Sequence, residues 1–354
     1  MKLFQVDIKK FRGFPKLKID DFKDLNLIVG KNNCGKTSIL EAIFLTIGIS
    51  NPNLAISIDR LRGLFHDDRE DFQFIFHNLS YSSNIEIDTK FINETQYRRL
   101  IIKPTFNKVK DIDIKSNILA SNTTSTDKNI DGIEFDFSIK SAKQSKDKFR
   151  KATIQFTPDG VKVQQPNDYN ESIIGIFLQP TTSVIDLYKR LDKILVKKAE
   201  DRFIRALQNI DNNIIGISLG AKNMIYFDIG IERLVPIQIM GDGTIKLLSY
   251  LATIANAEDG IVLIDEIENG FHFSILKSVW ESIYDTAKLY NVQVFATTHS
   301  FECAKAFNGI NPNKRKQEDS TRLYRIEREN NLFRAIKYDP EVLESSFESN
   351  WEIR

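Results

Sequence analysis

The chain is short of cysteine, of long apolar runs and of net charge. Its 354 residues hold two cysteines, Cys34 and Cys303, with no paired spacing. That excludes a disulfide framework and a cysteine zinc site and fits a reducing compartment, so the cytoplasm is expected. No window approaches the roughly 18 uncharged apolar residues of a spanning helix. Met1-Lys2-Leu3-Phe4-Gln5-Val6-Asp7 also lacks the apolar stretch of a signal peptide, so no membrane partner is expected. Lys and Arg (49) almost cancel Asp and Glu (48), and a net charge of +1 gives no global attraction to nucleic acid. No repeat, biased tract or extended heptad run suggests a solenoid or a coiled coil. What is present is 42% apolar residues, enough to bury a sizeable core in one large or two medium domains.

Residues 3–11 alternate apolar and polar side chains as a strand does, and Leu25-Asn26-Leu27-Ile28-Val29 is an apolar run that stops at Gly30. Beyond it Ile39, Leu40, Ile43, Phe44 and Ile47 recur at helical spacing and close near Gly48. The order is strand, loop, helix. Short strands at 84–92, 132–139, 152–156 and 173–178, joined by polar connections, predict a largely antiparallel sheet as far as residue 182. Within it, residues 107–129 have the Asn, Ser, Thr, Lys and Asp content of a solvated insertion. Residues 182–212 read as one modest helix with Leu187, Leu191, Ile194 and Leu195 on one face and Lys189, Arg190, Lys193, Lys197 and Lys198 elsewhere. From residue 213 onward strands and helices alternate, with buried strands at 260–264 and 292–297, which predicts an α/β layer with parallel strands.

Three segments carry chemistry. Gly30-Lys31-Asn32-Asn33-Cys34-Gly35-Lys36-Thr37 is a complete phosphate-binding loop between a predicted strand and a predicted helix. Its glycines let successive N–H groups curl around a phosphate, and the following helix directs its positive end at the same anion. Residues 30 and 32–38 (Gly30, Asn32, Asn33, Cys34, Gly35, Lys36, Thr37, Ser38) are therefore expected to bind ATP, with Lys36 at the β/γ-phosphates and Thr37 on Mg²⁺. Second, residues 260–266 carry Asp265 and Glu266 to the carboxyl end of a buried strand, suited to holding Mg²⁺ and to orienting or deprotonating the attacking water. Third, the strand at 292–297 leads to His299, expected beside the Asp265 strand with its imidazole toward the γ-phosphate.

In this order the segments resemble the ABC-type ATPases, in the soluble branch that holds SMC proteins, RecF and the OLD (overcoming lysogenization defect) ATPases, closest to stand-alone OLD-like AAA ATPases of the phage-defence type. Phe11-Arg12-Gly13-Phe14 looks like the aromatic-plus-Arg element this branch places near the nucleotide. Ile176-Phe177-Leu178-Gln179-Pro180 occupies the Q-loop position, which implies that Gln179 contacts Mg²⁺ or the lytic water; a structural glutamine is the alternative. Asp265-Glu266 resembles Walker B, Asn269-Gly270-Phe271-His272 the D-loop and His299 the switch histidine. Ile239-Met240-Gly241-Asp242-Gly243-Thr244 stands where the family shows Leu-Ser-Gly-Gly-Gln, with Gly241 at the serine position and Asp242 adding negative charge. Gly241 and Gly243 opening a helix still make an anion site.

The resemblance implies an α/β ABC-type head with an antiparallel β subdomain, a parallel-sheet core and a helical lobe. Its parts are expected at residues 1–182, 183–258 and 259–354, within a single head. It also implies a head-to-tail homodimer in which residues 240–244 of one subunit close the ATP site of the other. Too few residues follow His299 for a fused nuclease domain, so an effector, a nuclease or a toxin, is expected as a separate protein. Lys140, Lys143, Lys146, Lys148, Arg150 and Lys151 form a candidate DNA contact, or else a solvated face. Three functions stay open: a defence-system ATPase of the Septu or PARIS kind, a RecF-like repair ATPase, and a nucleotide-dependent interaction module with little turnover.

Overall fold

The computed structural model describes residues 1–64, 69–92, 96–106, 130–141, 148–157, 160–181, 186–310, 319–339 and 342. The insertion expected at 107–129, and Lys143 and Lys146 of the cationic run, lie outside the described residues. The chain opens with strands β1 (Leu3–Phe11), β2 (Phe14–Asp20) and β3 (Leu25–Val29), then helices α1 (Lys36–Ile47) and α2 (Asn53–Leu61). Strands β4 (Ile85–Phe91), β5 (Gln96–Phe106), β6 (Ile130–Ser141), β7 (Phe149–Thr157), β8 (Gly160–Gln164) and β9 (Gly175–Leu178) follow. Next come α3 (Leu187–Val196), α4 (Glu200–Gln208) and the short strands β10 (Gly216–Leu219), β11 (Ile225–Asp228) and β12 (Val235–Pro236). The remainder holds α5 (Asp242–Asn256), β13 (Ile261–Ile264), α6 (Leu276–Leu289), β14 (Gln293–Thr297), α7 (Phe301–Gly309), β15 (Thr321–Glu329) and β16 (Leu332–Tyr338).

Two large sheets enclose α1. One has the order β2-β1-β4-β5-β6-β7-β8 and is antiparallel throughout; the other, β16-β15-β3-β14-β13-β9, is parallel except for β16. Every residue of β3, β13 and β14 is buried, as expected of parallel strands covered on both faces. Side chains of a strand alternate between faces, and β13 divides accordingly. Ile261 and Leu263 join Ile39 and Ile43 of α1 in a core shared with the antiparallel sheet. Val262 and Ile264 join α5, α6 and α7 in a second core. Ile264 pairs with Ala296, and Ala296 with Leu27, so the carboxyl ends of β13, β14 and β3 align at one rim. Ligands of open parallel sheets bind at such a rim.

The fold class read from the sequence holds, with local corrections. Residues 173–178, grouped above with the antiparallel strands, yield β9, which pairs in parallel with β13 at the edge of the other sheet. The single helix expected over 182–212 is two, α3 and α4, broken where Lys198 adopts a left-handed φ of 53°. The alternation expected from residue 213 begins instead with an antiparallel sheet of β10, β11 and β12.

Candidate functional site

The loop after β3 needs glycine at two places for steric reasons. Gly35 caps α1 with φ 89°, and a Cβ there would stand 2.4 Å from Cζ of Phe14. Gly30 has φ 149°, and its Cβ would lie 2.7 Å from both the Cys34 sulfur and the Ile326 carbonyl. Any larger residue displaces the backbone whose N–H groups line the loop. Asn33 also takes a positive φ, 62°, and Cys34 is buried beneath the loop, where burial pushes its thiol above the ordinary range. Lys36 folds back over the loop and donates to the carbonyls of Gly30 at 2.8 Å and Lys31 at 3.2 Å.

A hydroxyl–carboxylate chain links this loop to the Walker B strand. Thr37 Oγ1 donates to Asp265 at 2.9 Å (Oδ2) and 3.1 Å (Oδ1), and Thr297 Oγ1 donates to Asp265 Oδ1 at 2.5 Å. Thr297 also accepts from the Glu266 amide at 2.9 Å, and its carbonyl accepts from the Ile267 amide at 3.1 Å. These bonds hold the turn in which Glu266 takes φ 48°, a conformation that costs energy for a residue with a Cβ. Gln179, buried, follows directly on Leu178, whose carbonyl accepts from the Asp265 amide at 2.9 Å. The structure thus brings Gln179, Thr37 and Asp265 to the same rim. The donor set fits Mg²⁺, a hard cation that takes oxygen ligands: a hydroxyl, a carboxylate and a side-chain amide. When bound, Mg²⁺ neutralises charge on the β- and γ-phosphate oxygens.

His299 follows β14 at the same rim. Its side chain is 55% exposed, and its Nδ1 lies 3.1 Å from Glu268 Oε1. Across the rim, Gly241 caps α5, and Gly243 approaches the Gly270 carbonyl, to which a Cβ would come within 3.4 Å. Lys246, one turn further along α5, donates to the Asn269 carbonyl at 3.0 Å and to its side chain at 3.2 Å. Burial lowers the Lys246 ammonium from its ordinary range against the pull of Asp242 and Glu266. The start of α5 is therefore packed on the D-loop position of its own chain.

Arg12 faces away from solvent. Its Nε donates to Glu41 at 2.6 Å, Nη2 to Asp59 at 2.6 Å and Nη1 to the Phe74 carbonyl at 3.1 Å. Arg62 donates to the other oxygen of Glu41 at 2.6 Å and to Ser38 Oγ at 3.2 Å. Arg12 thus reaches the loop helix through its carboxylate. The sequence reading overlooked Glu41, Arg62, Lys246, Thr297 and Glu268. For Glu268 a signal existed, the third acid of Asp265-Glu266-Ile267-Glu268. Of the candidate DNA cations, Lys148 and Arg150 each lie 3.0 Å from Asp168, and Lys151 lies 2.8 Å from Glu134.

Residues 25–302 match the family described as "AAA domain, putative AbiEii toxin, Type IV TA system". The chain belongs to this family. A relative from Helicobacter pylori (strain ATCC 700392 / 26695), named ATP/GTP phosphatase, is 26% identical over 97% of both chains. A DNA replication and repair protein RecF from Lactococcus lactis is 51% identical over 43 residues, 12% of each chain. Among solved structures, an SMC head bound to the C-winged helix domain of ScpA superimposes with TM-score 0.51 over 96% of this chain and 99% of its own. The SMC head domain of Thermotoga maritima does so with TM-score 0.50 over 96% and 100%. Both are 12% identical, so the likeness is one of fold. Family, motifs and fold together make this an ABC-type ATPase of the SMC/RecF branch.

Proposed function

We propose that the chain hydrolyses ATP with Mg²⁺ as a head-to-tail homodimer, each site closed by residues 240–244 of a second copy. The observation that carries this reading is the Thr37–Asp265–Thr297 chain, which ties the phosphate loop to both strands whose ends present Glu266 and His299. Lys36 and the loop amides hold the phosphates; Glu266 orients the attacking water and takes its proton; His299 faces the γ-phosphate. Within one copy this rim is open to solvent at His299. Beside the glycines of α5, Ile239 is 73% exposed and Phe273 64%, apolar surface that a second copy would cover. The Glu266→Gln variant retains ATP binding but lacks the group that activates water. It is expected to accumulate an ATP-bound dimer by light scattering, and a variant that stays monomeric in saturating ATP sinks the dimer mechanism.

The pathway we favour is anti-phage defence, with the chain as the regulatory ATPase of a separate nuclease or toxin in the cytoplasm. Support comes from the family description, which names a toxin of a toxin–antitoxin system. The match to RecF supports a second reading, a repair ATPase. Co-purification from the native host separates them: a nuclease or toxin partner favours defence, and replication proteins favour repair.

A further inference from the structure

Glu268 stands three residues beyond Asp265, past the strained turn at Glu266, and its side chain is 11% exposed. Its Oε1 accepts from the His299 backbone amide at 3.0 Å and lies 3.1 Å from His299 Nδ1. Its other oxygen, Oε2, is buried without a hydrogen-bond partner among the described residues. Around it stand two further buried groups, Tyr250 of α5 and Cys303 of α7, each raised by burial and by the Glu268 charge, the thiol to about 12.

A buried carboxylate with half its hydrogen-bonding capacity unused costs stability, and an apolar side chain of the same length would fill the space more cheaply. The tie between the turn after β13 and the end of β14 uses one of its oxygens, as acceptor for the His299 amide. What a carboxylate supplies and an apolar group cannot is an acceptor, for the His299 amide and for the ring nitrogen beside it. A carboxylate offers lone pairs only, so at 3.1 Å it favours the proton on the ring nitrogen that faces it. When Nδ1 carries the proton toward Glu268, the second nitrogen, Nε2, lies across the ring, on an imidazole that is more than half exposed at the rim. The ring orientation and its tautomer are then set by the same contact.

We infer that Glu268 is a positioning residue: it holds His299 as the Nδ1–H tautomer and so presents Nε2 to the reacting phosphate. It acts through His299 and does not touch the nucleotide. The inference rests on the reading of His299 given above, and the experiment separates the two.

The chain has four histidines, so histidine-selective ¹⁵N labelling gives few ring signals, and the His299 pair is assigned by its loss in His299→Gln. The wild type is expected to show His299 as Nδ1–H. Glu268→Met, of similar length without an acceptor, is expected to shift the ring toward Nε2–H, with kcat for ATP lowered at least about tenfold and KM unchanged. Glu268→Gln, which keeps an acceptor oxygen, is expected to retain the tautomer and to stay within a few-fold of wild-type kcat. Glu268→Ala is measured alongside, so that the outcome does not depend on how one thioether packs. In a His299→Gln background, Glu268→Met is expected to cost nothing further. Retention of the wild-type tautomer in both the Met and Ala variants overturns the positioning role, and so does a kcat loss that persists undiminished in the His299→Gln background. A His299→Gln enzyme with unchanged kcat overturns instead the placement of His299 at the γ-phosphate.

Discussion

Glu41 is fully buried on the helix that follows the phosphate loop, and its carboxylate is held between two guanidinium groups. Removing one partner of a buried ion pair leaves an uncompensated charge, which costs about 3–5 kcal/mol. Arg12→Ala leaves Glu41 on Arg62 alone and removes the 2.6 Å contact to Asp59. Arg12→Ala is therefore expected to destabilise the fold by about 3 kcal/mol in urea denaturation, the lower end of that range because Arg62 still holds Glu41. A loss of nucleotide binding with unchanged stability would show instead that Arg12 serves the ligand directly. The sequence made Phe11-Arg12-Gly13-Phe14 visible as a unit, but not what its arginine binds. Its partners lie 29 and 47 residues away, and no local pattern encodes such pairing. The loop and the acids at 265 and 266 were legible because their chemistry is written in consecutive residues. Lys246 was not, because it acts through contacts across the fold, and Glu268 was written beside those acids but its partner His299 lies 31 residues on.

Helix α1 is braced at its far end by another buried arginine. Arg98 of β5 donates through Nη1 to the carbonyls of Thr46 at 3.0 Å and Ile47 at 2.8 Å, the last turn of α1, where free carbonyls need donors. It pairs at the same time with both oxygens of Glu171, in the segment that leads into β9 and Gln179. One side chain thereby ties the phosphate-loop helix, the antiparallel sheet and the Q-loop strand. Arg98→Leu leaves Glu171 with only the amides of Ser172 and Ile173 and takes the donor from two carbonyls, and an unfolding free energy lower by about 3 kcal/mol is expected from urea melts. An equally stable Arg98→Leu protein would mean that solvent satisfies those groups. The polar content of β5, with Arg98 and Arg99 adjacent, is also why it escaped the sequence reading: Arg98 takes a buried position in line with Leu100 and Ile102, where an apolar residue is usual. Strand β15 escaped for a similar reason, since Arg325, Glu327 and Glu329 interrupt its apolar residues. The all-apolar strands β3, β13 and β14 carried no such ambiguity.

Over the whole molecule, charge is balanced in number and in place. The net charge is +1, and Lys148 and Arg150 share the carboxylate of Asp168 while Lys151 pairs with Glu134. Cations already neutralised release few counterions on meeting a phosphate backbone, and that release is the main source of non-specific affinity. Duplex DNA is accordingly expected to bind no more tightly than roughly 10⁻⁶ M at physiological salt, and to leave ATP turnover unchanged. Fluorescence anisotropy that reports tighter, salt-sensitive binding lost on neutralising those three residues would restore the DNA reading.

The six-stranded sheet has a further consequence, for the order in which the molecule comes into being. Strand β3 ends at residue 29 and carries the phosphate loop, yet both of its neighbours are distant in sequence: β14 begins at residue 293 and β15 at residue 321. Leu3 likewise waits for the side chain of Gln293. On a ribosome adding about 5–20 residues per second, a strand made in the first moments stays unpaired for on the order of ten seconds or more. Closing so long a stretch of chain is slow, and an apolar strand with open edges invites pairing with other chains in the meantime. The nucleotide site cannot form as it is synthesised: it is assembled last from pieces made first, while the β1–β2 and β4–β5 hairpins have both of their strands early.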